Sequence, residues 1–419
     1  MSRSAVREIP VSGIRMHRDE VVVPTQIGDA VHGMLTCHAA PLVAGSLRAK
    51  GRTTRLAEMP RSDDSSGDFD AKLFLVTCSQ QDGTTAAIAA AAAPGDALSA
   101  AAARGAVEDW AAVSGARTLL LASSPWCSGA MHAAGAARQA ASEYRGTGRK
   151  VLVLAPVAIP PETASALDEL GAVITDSLAQ VDPGDVVVFP AHGVTAEMRA
   201  EATRRGATVV DATCPLVAAA QTAASRSADR GQQLVLIGQP GQASTAAITS
   251  QAPRHVAVVD TATKTAALRA ADSRQISYLM QPGATLEAGA PIVSALRSRY
   301  PTARGAAPSE VCYAPSDRAG TIYSVALGSE LMLVLGDPQS ADTKQVCGHA
   351  RDAGTRVQVI AEVADLKPAM FASVDTIGLA ESTSAGAGLA AQVITALSGL
   401  GRLSVARRKL NTEKTPVPV

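Results

Sequence analysis

Three cysteines stand where metal chemistry would put them. Cys127 lies in LLLASSPWCSGAMHAA, Cys214 in ATVVDATCPLVAAAQ and Cys312 in PSEVCYAPSDRAG. Each follows a short apolar run and precedes a helix-like stretch. Their spacing is wide and nearly even, unlike zinc knuckles or thioredoxin-type motifs, which pair cysteines two residues apart. Thiolates from three successive α/β segments can instead meet at one central point. Soft, charge-rich thiolates suit an iron–sulfur cluster, and three of them leave one iron open for a substrate. Gly129, two residues after Cys127, lets backbone approach a bulky inorganic group. The helix beyond it aims its N-terminal amides at an anionic one. In DATCPLV, Asp211 and Thr213 can satisfy loop backbone, while Pro215 suits the first turn of a helix.

A second constellation is FPAHGVTAEMR. His192 follows an apolar run and precedes Gly193 and a helix cap at Thr195, so its imidazole is expected in a strand-end crevice. There it can bind a phosphate or move a proton, although a histidine in a loop also serves purely structural ends. Other small polar loops fall at the ends of apolar runs: GQPGQ (238–242), QPG (281–283), GDPQSAD (336–342) and ESTS (381–384). Backbone N–H groups in such loops can cradle an anion, or the loops can be ordinary turns.

The elements that must hold these residues read as alternating strands and helices from about residue 117 onward. Strands are expected at Thr118–Leu121, Val151–Leu154, Val186–Phe189, Thr208–Val210, Leu234–Ile237, Val256–Val259, Ile276–Met280, Met332–Leu335, Val357–Ile360 and Thr376–Leu379. These runs lack polar alternation, as strands buried on both faces do. Helices are expected at Glu197–Arg205, Leu216–Arg230, Leu286–Ser298 and Leu389–Leu397. The pattern predicts an α/β fold of parallel units, with ligands gathering at the carboxyl ends of strands.

The first 113 residues read as a small N-terminal α/β extension, with a linker expected at Arg61–Asp70. Cys37 and Cys78 there repeat the strand–Cys–helix pattern, and burial in an Ala-rich core is their expected fate. Residues 114–400 form the main region, and 401–419 are expected to be a flexible tail.

Composition sets the outer bounds. The chain has 419 residues, 47% hydrophobic and 18% charged, with a net charge of +0 and 3% aromatics. It is globular, with neither the basic footprint nor the stacking platform that nucleic acids require. The run Ala86–Ala93 falls far short of a bilayer span, so no membrane partner is expected. The N-terminus lacks an apolar secretory core, and six cysteines make no disulfide scaffold, so a reducing cytoplasm is the expected location.

In order, CSG, AHGV, DATCPLV, IGQPG, a Gln-containing turn, CYA, GDPQS and a Ser-rich terminal loop resemble the IspH/LytB family of 4-hydroxy-3-methylbut-2-enyl diphosphate reductases. The similarity runs from about Arg117 to Leu397. It implies three α/β lobes around a [4Fe–4S] cluster held by Cys127, Cys214 and Cys312. It further implies reductive dehydroxylation of an allylic diphosphate in the non-mevalonate isoprenoid route, with an electron donor such as ferredoxin or flavodoxin. His192 would be a catalytic and substrate-binding residue, with Gln242, Ser244, Ser340, Asp342 and Ser384 lining the substrate.

Of three family histidines only His192 is kept. The first falls on Ala158-Ile159-Pro160 and the third on Gln242. The family's proton-relay Glu falls on Ser244, a Thr on Pro282, and a Ser-Ser-Asn segment on Ser340-Ala341-Asp342. Ser384 is retained. An Asp in place of a neutral amide adds like charge beside a diphosphate. A changed hydroxylated substrate, a non-catalytic cluster protein and a cluster-free protein with buried thiols stand as alternatives.

Overall fold

A strand covered on both faces has no polar side to show, and here seven of the ten apolar runs become central strands of parallel sheets, while those at 208–211, 256–259 and 356–360 lie at sheet edges. The computed structural model describes residues 5–29, 32–59, 69–155, 159–268 and 275–410. These described residues form two compact units, one from those up to 123 together with 321–408, the other from those between 124 and 320 together with 409–410. The compact units therefore do not divide at residue 113.

The second unit holds two four-stranded parallel sheets. One runs in the order Thr208–Asp211, Val186–Phe189, Val151–Leu154, Val173–Thr175. The other runs Val256–Val259, Gln233–Ile237, Ile276–Met280, Arg304–Gly305. Apolar clusters line both faces of each sheet. Val186 and Val188 pack with Leu167 on one side, while Val187 and Phe189 pack with Leu178 and Ala202 on the other.

The first unit combines two sheets. A five-stranded parallel sheet runs Arg356–Ile360, Leu331–Leu335, Thr376–Glu381, Arg117–Leu121, Leu403–Arg407. A six-stranded mixed sheet runs Arg7–Val11, Ala71–Ser79, Thr85–Ala92, Gly33–Thr36, Glu20–Asp29, Thr53–Met59. One apolar core joins them, with Leu73, Ile88 and Trp110 in the same cluster as Leu333, Ile377 and Val393. Trp110, from helix Ala97–Ala112, lies 6.0 Å from the Phe371 ring, and its indole N–H donates to Ser46 Oγ at 2.9 Å. A Cβ on Gly45 would stand 2.8 Å from Ala364 Cα, so helix Ala40–Ala49 meets that turn backbone to backbone. Helices Ala40–Ala49 and Ala97–Ala112 and the six-stranded sheet thus share one core with the 321–408 segment.

All ten expected strands are present, within a residue or two at their ends. The tail expected from 401 is corrected. Leu403–Arg407 is a strand, parallel to Arg117–Leu121 and hydrogen-bonded to it at the sheet edge. Its partly polar, outward-facing residues hide it among tail sequences. Most of the expected linker, residues 61–68, lies outside the described residues, as do 411–419.

Candidate metal centre

Cys127, Cys214 and Cys312 all belong to the second unit, and each sits at the start of a helix. Cys127 is the N-cap of helix Ser128–Glu143, and its sulfur accepts the Ala130 N–H at 3.4 Å. Cys214 is the N-cap of Pro215–Asp229, with Pro at the first position, where a missing N–H is harmless. Cys312 lies just ahead of Ala314–Leu327, and its sulfur accepts the N–H groups of Ala314 and Gly283. Free N–H groups and the positive helix end favour thiolates at such places.

Cys312 lies close enough to the other two sulfurs to feel their charge. Burial raises the Cys312 thiol, its two N–H donors lower it, and Cys127 and Cys214 raise it further by charge. Gly129 supplies the close packing: a Cβ there would stand 2.9 Å from Cys214 Sγ and 3.8 Å from Cys127 Sγ. Among the described residues, no group of three His, Cys, Asp or Glu side chains is placed to hold a single metal ion. Three sulfurs at helix starts, two of them receiving backbone N–H groups, fit a cluster instead, since each thiolate then takes its own iron.

The His192 loop is tied to the Cys214 loop. Their strands pair Val188 with Val210, and the Cys214 N–H donates to Ala191 O at 2.9 Å. Thr195 caps the next helix by accepting the Met198 N–H, as its position in the sequence predicts. Gly193 adopts φ +72° against Val217 and Gln221, so only glycine fits this turn comfortably. Burial lowers the His192 pKa, favouring neutral imidazole, and Nδ1 is buried without a hydrogen-bond partner. A polar atom left so is satisfied by a bound group or an ordered water.

The other expected residues have particular placements. Gln242 is exposed, at the N-cap of helix Ala243–Thr249. Ser244 is 1% exposed. Its hydroxyl donates to Pro282 O at 3.2 Å and accepts from Gln281 Nε2 at 3.0 Å, which uses its main bonding capacity inside the protein. Ala158 lies outside the described residues.

Ser340, Asp342 and Ser384 belong to the first unit, at the carboxyl ends of Leu331–Leu335 and Thr376–Glu381. Ser340 begins helix Ala341–Asp352 without a side-chain cap bond. Asp342 Oδ2 accepts the Thr383 N–H at 2.7 Å and so fixes the Ser-rich loop. Ser384 Oγ lies 3.1 Å from Thr343 Oγ1 and 2.9 Å from Ser382 Oγ, and it accepts the Asp337 N–H at 3.0 Å. A Cβ on Gly336 would stand 2.8 Å from both Ser384 Oγ and Thr343 Oγ1. Thr343 was not among the expected residues. The only signal was its place in the first turn of a helix that follows a Gly-containing loop.

A family model described as LytB protein matches residues 118–398. The chain belongs to this family. Among LytB relatives, it is 39% identical over 252 residues to 4-hydroxy-3-methylbut-2-enyl diphosphate reductase 2 of Mycobacterium bovis, covering 59% of this chain and 76% of the relative. The reductase of Zymomonas mobilis is 32% identical over 235 residues, covering 56% and 69%. Among solved structures, the Plasmodium falciparum E-1-hydroxy-2-methyl-but-2-enyl-4-diphosphate reductase aligns with a TM-score of 0.60 at 18% identity, covering 72% of this chain and 95% of that one. That likeness establishes a shared fold. The three cysteines and His192 all fall inside the LytB match, whereas the six-stranded sheet precedes it.

Proposed function

We propose that this chain is an iron–sulfur reductase that removes the allylic hydroxyl of 4-hydroxy-3-methylbut-2-enyl diphosphate, giving isopentenyl and dimethylallyl diphosphate. The C–O bond breaks, two electrons and two protons enter, and one water leaves. One observation carries this reading: Cys127, Cys214 and Cys312 all stand at helix starts inside the family-matched region, the first two sulfurs meeting across Gly129. A bound [4Fe–4S] cluster supplies electrons and an open iron that polarises the hydroxyl oxygen. The electrons come from outside, from a one-electron carrier such as ferredoxin or flavodoxin. Six unpaired thiols accord with work in a reducing cytoplasm. Among the described residues no helix is long and apolar enough to cross a membrane.

The chain's own groups bind and orient. His192 presents a neutral ring whose buried Nδ1 has a hydrogen bond to give or take. Gln242, exposed at a helix start, would contact an anion. In the first unit, Ser340 and Ser384 carry neutral hydroxyls, while the Asp342 carboxylate is held on Thr383.

The test is anaerobic: the reconstituted protein, the diphosphate and a reduced viologen, with product measured by mass spectrometry. Turnover supports the reading. A fully loaded cluster that leaves this diphosphate unconsumed overturns it. A second reading, reduction of a different hydroxylated substrate, is favoured by Ser244. That position carries no titratable group and its hydroxyl is engaged with Pro282 and Gln281. A panel of allylic alcohols and diphosphates in the same assay separates the two.

A further inference from the structure

The Gln281 side chain is buried with a hydrogen bond at each end of its amide, one of them to Ser244. It is 6% exposed. Its Oε1 accepts the Gln239 N–H at 2.9 Å, and its Nε2 donates to Ser244 Oγ at 3.0 Å. Ser244 Oγ passes the link on to Pro282 O at 3.2 Å. The Gln281 main chain is pinned as well, its N–H on Ile237 O at 2.8 Å and its carbonyl accepting Ala284 N–H at 3.0 Å. Gly238 makes room, because a Cβ there would fall on the Gln281 side-chain amide. One amide thus clamps the loops that end two neighbouring strands, Gln233–Ile237 and Ile276–Met280.

The clamped loop continues directly into Gly283, whose N–H donates to the Cys312 sulfur. Gly283 adopts φ +109°, a conformation closed to other residues, so the direction of its N–H depends on how 281 and 282 are held. An N–H bond to a cluster thiolate withdraws electron density from the sulfur. It therefore stabilises the more negative, reduced cluster and raises the reduction potential.

We propose that Gln281 is a positioning residue that sets the reduction potential of the cluster by holding the Gly283 N–H on Cys312. The inference rests on the proposed cluster at Cys127, Cys214 and Cys312. It gives position 244 a specific task in this chain, as the middle of a clamp.

The experiment is an EPR-monitored redox titration of the full chain, reconstituted anaerobically. Gln281→Leu removes both amide bonds, Ser244→Ala removes the link to Pro282, and Gly238→Ala pushes the amide aside from the opposite loop. Each is expected to make the cluster harder to reduce. Gln281→Leu should lower the reduced-to-oxidised ratio at fixed poise about tenfold, equivalent to about 59 mV for one electron. Gln233→Leu is the control. It removes a buried amide bond to His255 O at the far end of the same strand and should leave the potential unmoved. A purely structural clamp would lower melting temperature or cluster yield without moving the midpoint. An unchanged midpoint in loaded Gln281→Leu and Gly238→Ala overturns the inference. Should Gln281→Leu fail to load, Ser244→Ala decides, since it deletes a single oxygen, and an unmoved midpoint there is equally fatal. A wild-type protein that takes up no cluster would instead defeat the proposed function itself.

Discussion

Cys37 and Cys127 occupy the same kind of local sequence, a short strand before and a helix after, yet their surroundings are opposite in polarity. Cys127 is exposed, and its sulfur receives an N–H from the helix it begins. Cys37, between Gly33–Thr36 and Ala40–Ala49, is 4% exposed, with its thiol pushed up to about 12 by burial and then by Cys78. Cys78 shows the difference most plainly. Its S–H donates to Gly399 O at 3.2 Å, and burial pushes it up to about 11. Burial makes Cys37 and Cys78 keep their protons, whereas at Cys312 two N–H donors work against the same burial. Depth of burial and the N–H groups around a sulfur set these thiols apart, and local sequence displays neither.

The comparison breaks most readily at the metal. Cys127→Ser, Cys214→Ser or Cys312→Ser should each abolish the cluster's visible absorbance. Cys37→Ser and Cys78→Ser, measured as iron per folded protein, should not. Full iron in Cys214→Ser would erase the distinction.

Alkylation of the apo protein gives the next largest effect. With a pKa of about 12, Cys37 at pH 9 holds thiolate at roughly one part in a thousand. Mass spectrometry after brief iodoacetamide treatment should find Cys127 modified and Cys37 intact. The same shifts set a stability window. Folded Cys37 and Cys78 titrate above the unfolded value of 9.0, so their contribution is complete below pH 9 and is lost as pH climbs through about 11 to 12. Urea midpoints across that range should fall; a flat profile would contradict the raised values.

Gly129→Ala sharpens the contrast from the backbone side. Alanine favours a helix, so the apo protein should unfold no more easily. The new Cβ would stand 2.9 Å from Cys214 Sγ, and cluster lifetime in air should shorten several-fold. The smallest effect belongs to Cys78→Ala, which should cost about 1 to 2 kcal/mol in chemical denaturation and leave iron content alone.

Much of the fold was legible because parallel strands covered on both faces must be apolar throughout. Val151–Leu154, Val186–Phe189 and Leu234–Ile237 could hardly be anything else. Edge strands obey no such rule. Val173–Thr175 is short and mostly exposed, Arg304–Gly305 is two residues long, and Leu403–Arg407 was read as tail. The placement of Cys127, Cys214 and Cys312 at helix starts was legible from their motifs, and that of His192 in a strand-end loop from AHGV. The tasks of Ser244 and Asp342 were not, because each depends on a loop distant in sequence: Pro282 and Gln281 for one, Thr383 for the other. Homologous position suggests where such a side chain stands, and only its hydrogen-bond partners reveal whether it is free to act.

The strand Leu403–Arg407 closes beside Arg117–Leu121, and the core around Trp110 draws on Phe371 and Val393. During synthesis on the ribosome, the segment that emerges first therefore waits for the one that emerges nearly last. Its apolar face stays uncovered while some two hundred intervening residues are made, a period in which such surfaces attract chaperones or aggregate. The second unit, from 124 to 320, is under no such constraint and can settle within its own stretch of nascent chain.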